Sequence, residues 1–313
     1  VSGVGALLPR DLPAAEVLPF ARRAEQLGFD ELWVVEDLGF RGGIAQAAAV
    51  LAATERIRVG IGILPAAARS VAFTAMELAT LTELFPGRVI AGIGHGMPHW
   101  LRSLGVWPAS PLTLLDEYFS ALRALLAGET VSVEGRYVRL REVALTMLPQ
   151  QVPPLLAGVR GPKSLQLAGR VADGVILAEP VTPEYVAAAL AETGGEGLVV
   201  AFAVAAVHDD ADTARALVRP GLSAIGEPDW APHIAPLAFA AEFAALRAES
   251  ADGEAFAQRM PDAWVDQLAV VGTPASAAAR IAQLHTAGVA SVVLMPAGPD
   301  PLAALDELAR VLR

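Results

Sequence analysis

Arg88-Val-Ile-Ala-Gly-Ile-Gly-His-Gly-Met-Pro-His-Trp-Leu101 reads as an apolar strand running directly into a glycine-rich turn and a helix start. Val89 to Ile93 are apolar and partly β-branched, the composition of a buried strand. Gly92, Gly94 and Gly96 alternate at its end, where glycine permits a sharp turn and close approach of a ligand. Pro98 sits where a helix can begin. Strand, turn and helix N-terminus together present free N–H groups that suit an anion such as a phosphate. A tight turn that binds nothing fits these residues equally well. The pattern is Gly-x-Gly-x-Gly and lacks the dinucleotide fingerprint.

On either side of this stretch, strands and helices alternate. Val4–Leu8 is a predicted strand, Ala14–Leu27 a helix stopped by Gly28, and Glu31–Val35 a second strand. Ile44–Thr54 is an Ala-rich helix, Ile57–Leu64 a third strand stopped by Pro65, and Val71–Leu84 a helix that leads through Pro86-Gly87 into the fourth strand. The rhythm breaks at residues 98–150, which hold an amphipathic helix, Thr113–Leu126, and a small hairpin over Val131–Arg139 with its turn at Glu134-Gly135. It resumes with strands at Pro154–Gly158, Gly174–Leu177, Leu198–Val207 and Ser291–Met295, separated by helices at Lys163–Arg170, Pro183–Glu192, Asp210–Val218 and Ser276–Ala287. Residues 219–268 are less regular, and Leu302–Leu312 is a closing helix. Eight strands, apolar on both faces and alternating with helices, predict an α/β fold of the closed (β/α)8 TIM barrel type. An open doubly wound sheet is the alternative. No linker appears, so residues 1–313 form one expected domain, with 98–150 and 219–265 as insertion or lid segments.

The chain has 313 residues, 54% of them apolar, and a formal net charge of −11. That is ample for a large core, and without a basic patch it argues against nucleic acid and anionic membrane as partners. With no cysteine, disulfides, thiolate chemistry and Cys-ligated zinc are excluded. The longest apolar strand is too short to span a bilayer and the N-terminus shows no signal-peptide pattern, so a cytoplasmic location is expected.

In a barrel of this type chemistry sits at the C-terminal strand ends. That makes candidates of Glu36-Asp37, Gly62 to Leu64, His95 and Gly96, Gly158 to Lys163, and Glu179. Adjacent acids point to opposite sides of a strand, so one of Glu36 and Asp37 is expected to face the mouth. Val159-Arg-Gly-Pro-Lys-Ser164 is a second glycine-containing strand-to-helix turn that suits a phosphate without being a Walker loop. His95 and His99 lack the surroundings of a zinc motif, and no metal is expected. No Gly-x-Ser-x-Gly elbow exists.

Four segments occur in order: Gly28-Phe-Asp-Glu-Leu-Trp-Val34, Arg56-Ile-Arg-Val-Gly-Ile-Gly-Ile-Leu64, Gly87-Arg-Val-Ile-Ala-Gly-Ile-Gly-His-Gly96, and Gly161 to Gly174. With Leu122 to Glu129, Gly135-Arg-Tyr137 and Gly272-Thr-Pro274, they make nearly the whole chain resemble the luciferase-like flavin/deazaflavin oxidoreductases, and more closely their coenzyme F420-dependent branch. The resemblance implies a barrel that binds F420, or alternatively FMN, at the strand C-termini. It implies a bulge in the third strand, often with a non-proline cis peptide, that backs the cofactor ring at Gly62, Ile63 and Leu64. It also implies phosphate contacts at Gly94, His95 and Gly96 and at Ala157, Gly158, Val159, Arg160 and Gly161. Ile176 falls near the ring, and Glu36 on the family's acidic residue.

Two departures stand out. The branch's sugar-phosphate dehydrogenase has a histidine where this chain has Asp37, and a catalytic glutamate where it has Met97. That activity is therefore not expected, and Asp37 and His95 are left as the catalytic acid/base candidates. The first expectation is F420-dependent hydride transfer to or from a small, mostly apolar organic substrate. The alternatives are a reduced-FMN-dependent monooxygenase and a non-catalytic flavin- or deazaflavin-binding protein. Leu101, Trp107, Trp230 and Trp264 are candidate mouth-lining residues. The family resemblance adds a homodimer and a separate cofactor-reducing enzyme as expected partners. Gly158→Val is expected to weaken cofactor binding without harming the fold.

Overall fold

The computed structural model describes residues 2–312. Its strands are β1 (Gly3–Leu7), β2 (Glu31–Val34), β3 (Arg58–Pro65), β4 (Val89–Gly94), β5 (Val131–Glu134), β6 (Arg139–Val143), β7 (Leu155–Gly158), β8 (Gly174–Leu177), β9 (Leu198–Val207), β10 (Val270–Gly272) and β11 (Ser291–Pro296). Eight of them pair in parallel around a ring, β1-β2-β3-β4-β7-β8-β9-β11, which closes through the β11–β1 pair. The expected (β/α)8 barrel is therefore present, and the open sheet is excluded. Helices on the outside bury the strands' second faces, which is why these strands are apolar throughout.

Local signals place the helices. The helix Ala14–Leu27 ends at Gly28, whose φ of 94° lets its N–H reach the carbonyls of Ala24 and Glu25. Two details depart from the sequence-based expectation. β10 adds a strand to the outer end of β9, outside the ring; three residues are too few for any period to show. The hairpin turn runs past Glu134-Gly135, because the Glu117 carboxylate accepts the N–H groups of Arg136, Tyr137 and Val138. β6 consequently begins only at Arg139.

The core has three parts. The largest lies between sheet and helices. A second fills the barrel itself, with Leu7, Trp33, Ile90, Leu156, Ile176 and Phe202 among its members. The third packs the short helices of residues 219–268 onto the ends of β9 and β10. Trp264 belongs to this third part, stacked on Phe239 at 4.7 Å, and so is a packing residue and not a mouth residue. At the closed end of the barrel Glu31 is buried, accepting from Trp33 Nε1 (2.7 Å) and Ser291 Oγ (2.8 Å) and pairing with Arg58 (2.6 Å). Among the described residues no helix is long and apolar enough to cross a membrane.

Candidate active site

The open end of the barrel gathers most of the residues singled out above. β3 shifts register against β4 between Ile61 and Leu64, and the Gly62–Ile63 peptide is cis. The bulge turns Ile63 onto a floor of glycines. A Cβ at Gly158 would lie 2.4 Å from Ile63 Cγ2, one at Gly92 3.1 Å from the same atom, and one at Gly94 3.2 Å from Ile63 Cδ1. Ile176 packs in the same cluster, with its Cδ1 only 2.4 Å from a Cβ placed on Gly92. Leu64 is fully buried and pairs with Ile93. Glycines are required here because the bulge occupies the room that side chains would take. Gly158→Val therefore displaces the bulge as well as any ligand, which corrects the expectation of an undisturbed fold.

Two glycine turns rise from this floor. In the first, Gly96 has φ 71° and packs on Pro65, and the helix Pro98–Ser103 follows. In the second, Ala157 and Gly158 end β7, and Val159 and Arg160 lead to Gly161, the N-cap of the helix Pro162–Val171. No side chain caps that helix; Pro162 has no N–H and Ser164 N–H donates to the Gly161 carbonyl (3.0 Å), so Lys163 N–H is the first-turn amide left to an anion. The turns are tied together by His95 Nε2 and Ser164 Oγ, 3.1 Å apart. Burial lowers the pKa of His95, which keeps the imidazole neutral at neutral pH. Its side chain thus faces the second turn, and Ser164, the last residue of the turn read from the sequence as suited to a phosphate, joins the site.

Glu36 and Asp37 both line one cleft of about 230 Å³, together with Leu38, Phe40, Trp100, Leu101 and Leu104. The alternation rule fails for this pair because β2 ends at Val34 and leaves both acids in a loop. Glu36 is held by Arg69 (3.0 Å) and by the N–H of Gly43 (2.7 Å) at the start of the helix Gly43–Ala53. Asp37 pairs with Arg10 at 2.5 Å. Arg69 also bonds Glu77, so a second, larger cleft of about 450 Å³ beside it, which contains Trp107, has no free charge from that arginine.

Across the mouth, β8 leads into Glu179-Pro180, a cis peptide bond. Trp230 Nε1 donates to the Glu179 carbonyl (2.9 Å), and His233 Nδ1 lies 3.0 Å from the Pro180 carbonyl. The Arg160 guanidinium lies 4.5 Å above the Trp230 ring. His233 stacks on Tyr185 and is fully buried, and burial lowers its pKa to about 4. The unfolded chain protonates this histidine below about pH 6.5, whereas the fold keeps it neutral down to about pH 4. Its contribution to stability is therefore complete above pH 6.5 and declines between 6.5 and 4, by up to about 3 kcal/mol. Urea unfolding at pH 7 and pH 5 is expected to show this loss in the wild type and a smaller one in His233→Phe. Equal losses would contradict it.

The site thus brings together the bulge, both turns, Ile176, the two acids and Glu179. Arg10 and His233 were missed because nothing near them in sequence marks them, whereas Ser164 closes the turn already read as phosphate-suited; Trp230, expected at the mouth, is there. Over residues 3–291 the chain matches the family model described as luciferase-like monooxygenase. It is 29% identical over 307 residues to 5,10-methylenetetrahydromethanopterin reductase of Methanolobus tindarius, covering 94% of each chain. It is 33% identical over 210 residues to the F420-dependent glucose-6-phosphate dehydrogenase of Microbacterium testaceum, 63% of this chain and 62% of that one. Its fold overlays that of the coenzyme F420-dependent tetrahydromethanopterin reductase of Methanopyrus kandleri with a TM-score of 0.83 at 22% identity, covering 98% and 97% of the two chains. The family match spans nearly every element that builds the barrel mouth, and the chain belongs to the luciferase-like monooxygenase family of oxidoreductases.

Proposed function

We propose that this chain is an F420-dependent oxidoreductase that transfers a hydride between the reduced deazaflavin and a small, mostly apolar organic substrate. The observation that carries this reading is the Gly62–Ile63 bulge set on a glycine floor beside the uncapped helix at Gly161. The floor gives a planar ring an apolar backing, and the helix start at Gly161 gives its phosphate the unshared Lys163 N–H. Ser164, Arg160 and Lys163 add polar and cationic groups at the same helix start. The residues present fit a deazaflavin phosphate, and the similarity to an enzyme named as F420-dependent supports that cofactor over FMN. When bound, the reduced deazaflavin supplies the hydride. The chain's own part is to seat the ring, hold the phosphate and exclude water. The apolar cleft lined by Leu38, Phe40, Trp100 and Leu104 supports an apolar substrate. The family description favours a second reading, reduced-FMN-dependent monooxygenation.

The test is transfer of label. Under anaerobic conditions, deazaflavin carrying deuterium at its hydride-donating carbon is offered with enones, imines and ketones. Deuterium on a substrate carbon is the expected result. Oxygen incorporation from air with reduced FMN, and no deuterium transfer, would establish the second reading instead. Tight cofactor binding without turnover of any acceptor would indicate a carrier protein.

A further inference from the structure

Of the candidate proton-transfer groups read from the strand ends, Glu36, Asp37, His95 and Glu179, three are already engaged. Glu36 is fixed by Arg69 and Gly43, Asp37 by Arg10, and His95 by Ser164. The fourth, Glu179, accepts no hydrogen bond to its carboxyl from another residue among those described, while its main chain is anchored. Trp230 holds its carbonyl and His233 the next one, so the second insertion fixes where Glu179 stands. It lies three residues beyond Ile176, the barrel-facing residue packed with the bulge. The charged groups that face it are Arg160 from the β7 turn and Asp37 and Arg10 from the loops after β2 and β1. His233, on the segment packed against it, is neutral above about pH 4.

We infer that Glu179 is the catalytic acid of this enzyme, giving a proton to the substrate heteroatom during reduction of a C=O or C=N group and taking it back in the reverse direction. Glu179 follows β8, two places round the ring from β4 and its His95 turn and across the ring from β2, which leads to the two engaged acids. A bound reduced deazaflavin would supply the hydride to the substrate carbon and be the two-electron reductant. The Glu179 O–H bond breaks as an X–H bond forms on oxygen or nitrogen. The carboxylate that remains regains its proton from water. Burial raises the pKa of Glu179, which favours the protonated form that the reductive direction requires. Trp230 and His233 are positioning residues that act through the main chain of Glu179 and Pro180.

This inference rests on the proposed hydride-transfer reading, and its test separates the two. Wild type, Glu179→Gln and Glu179→Asp are titrated with the deazaflavin and assayed with a substrate from the labelling screen. Glu179→Gln is expected to bind cofactor within about twofold of wild type and to lose roughly 100-fold or more in kcat, with KM little changed. Glu179→Asp is expected to recover part of that loss. In the wild type the reductive kcat should fall as pH rises through the Glu179 ionisation, and the Gln variant should lack that limb. A readout independent of turnover is infrared difference spectroscopy of the protein without cofactor. A protonated carboxyl band that persists to higher pH than an ordinary glutamate's, shifted in heavy water and missing from Glu179→Gln, is expected. Normal turnover in Glu179→Gln, or a band that persists in it, overturns the assignment of the acid while leaving the proposed function standing. Failure of the wild type to bind the deazaflavin overturns both.

Discussion

Gly161→Val loses deazaflavin affinity by about tenfold or more, close to 1.4 kcal/mol, while its stability falls much less than that of Gly158→Val. A Cβ at Gly161 meets no atom within 4 Å, and its φ of −86° and ψ of 158° suit a branched residue. The valine therefore meets no clash, and its cost to the fold is confined to the replacement of a favoured N-cap residue. Its methyl groups stand before the free Lys163 N–H at the start of the helix Pro162–Val171, where the proposed function seats the phosphate. Gly158→Val is the contrasting case. There the new Cβ meets Ile63 at 2.4 Å, so binding and stability fall together. Fluorescence titration and thermal unfolding of the two variants side by side check the difference. Unchanged affinity in Gly161→Val would remove that turn from the site.

Gly60→Ala produces a large loss of stability in the barrel interior. Its Cβ would lie 2.3 to 2.4 Å from three atoms of the Trp33 ring. The ring has nowhere to go: it is fully buried, meets Phe202 edge-on at 5.4 Å, and is tied through Nε1 to Glu31. Overpacking of an unyielding core costs about 3 kcal/mol, which for a chain of this size lowers the apparent Tm by on the order of 5–10 °C. The double variant Gly60→Ala with Trp33→Leu is expected to be less destabilised than the sum of the two singles, because removal of the ring removes the collision. Strict additivity in thermal unfolding would show that the clash is relieved some other way.

Much of this architecture could be read from residue patterns because its signals are local. The helix Ala14–Leu27 and the strands Gly174–Leu177 and Leu198–Val207 have the predicted bounds, since glycine stops and unbroken apolar runs mark them. Glycine spacing likewise located both turns. What escaped is set by contacts distant in sequence. β10 exists because the end of β9 offers it a partner, and the hairpin turn is lengthened by a carboxylate nearly twenty residues away. The engagement of the mouth acids was hidden for the same reason. Nothing near Asp37 announces Arg10, and nothing near Glu36 announces Arg69. Glu179 could be placed at a strand end by position, but only the fold shows that its neighbours hold its main chain and leave its carboxyl free.

The most direct measurement is a titration of the wild-type protein with F420 and with FMN in parallel, at fixed salt, followed by quenching of tryptophan fluorescence. Trp230 at the mouth, beside Arg160 and Glu179, provides the reporter. Saturable binding of F420 at least about tenfold tighter than FMN, a difference near 1.4 kcal/mol, is the expected result. Binding of neither would mean that the bulge and the two glycine turns serve the fold alone, and would contradict the proposed function.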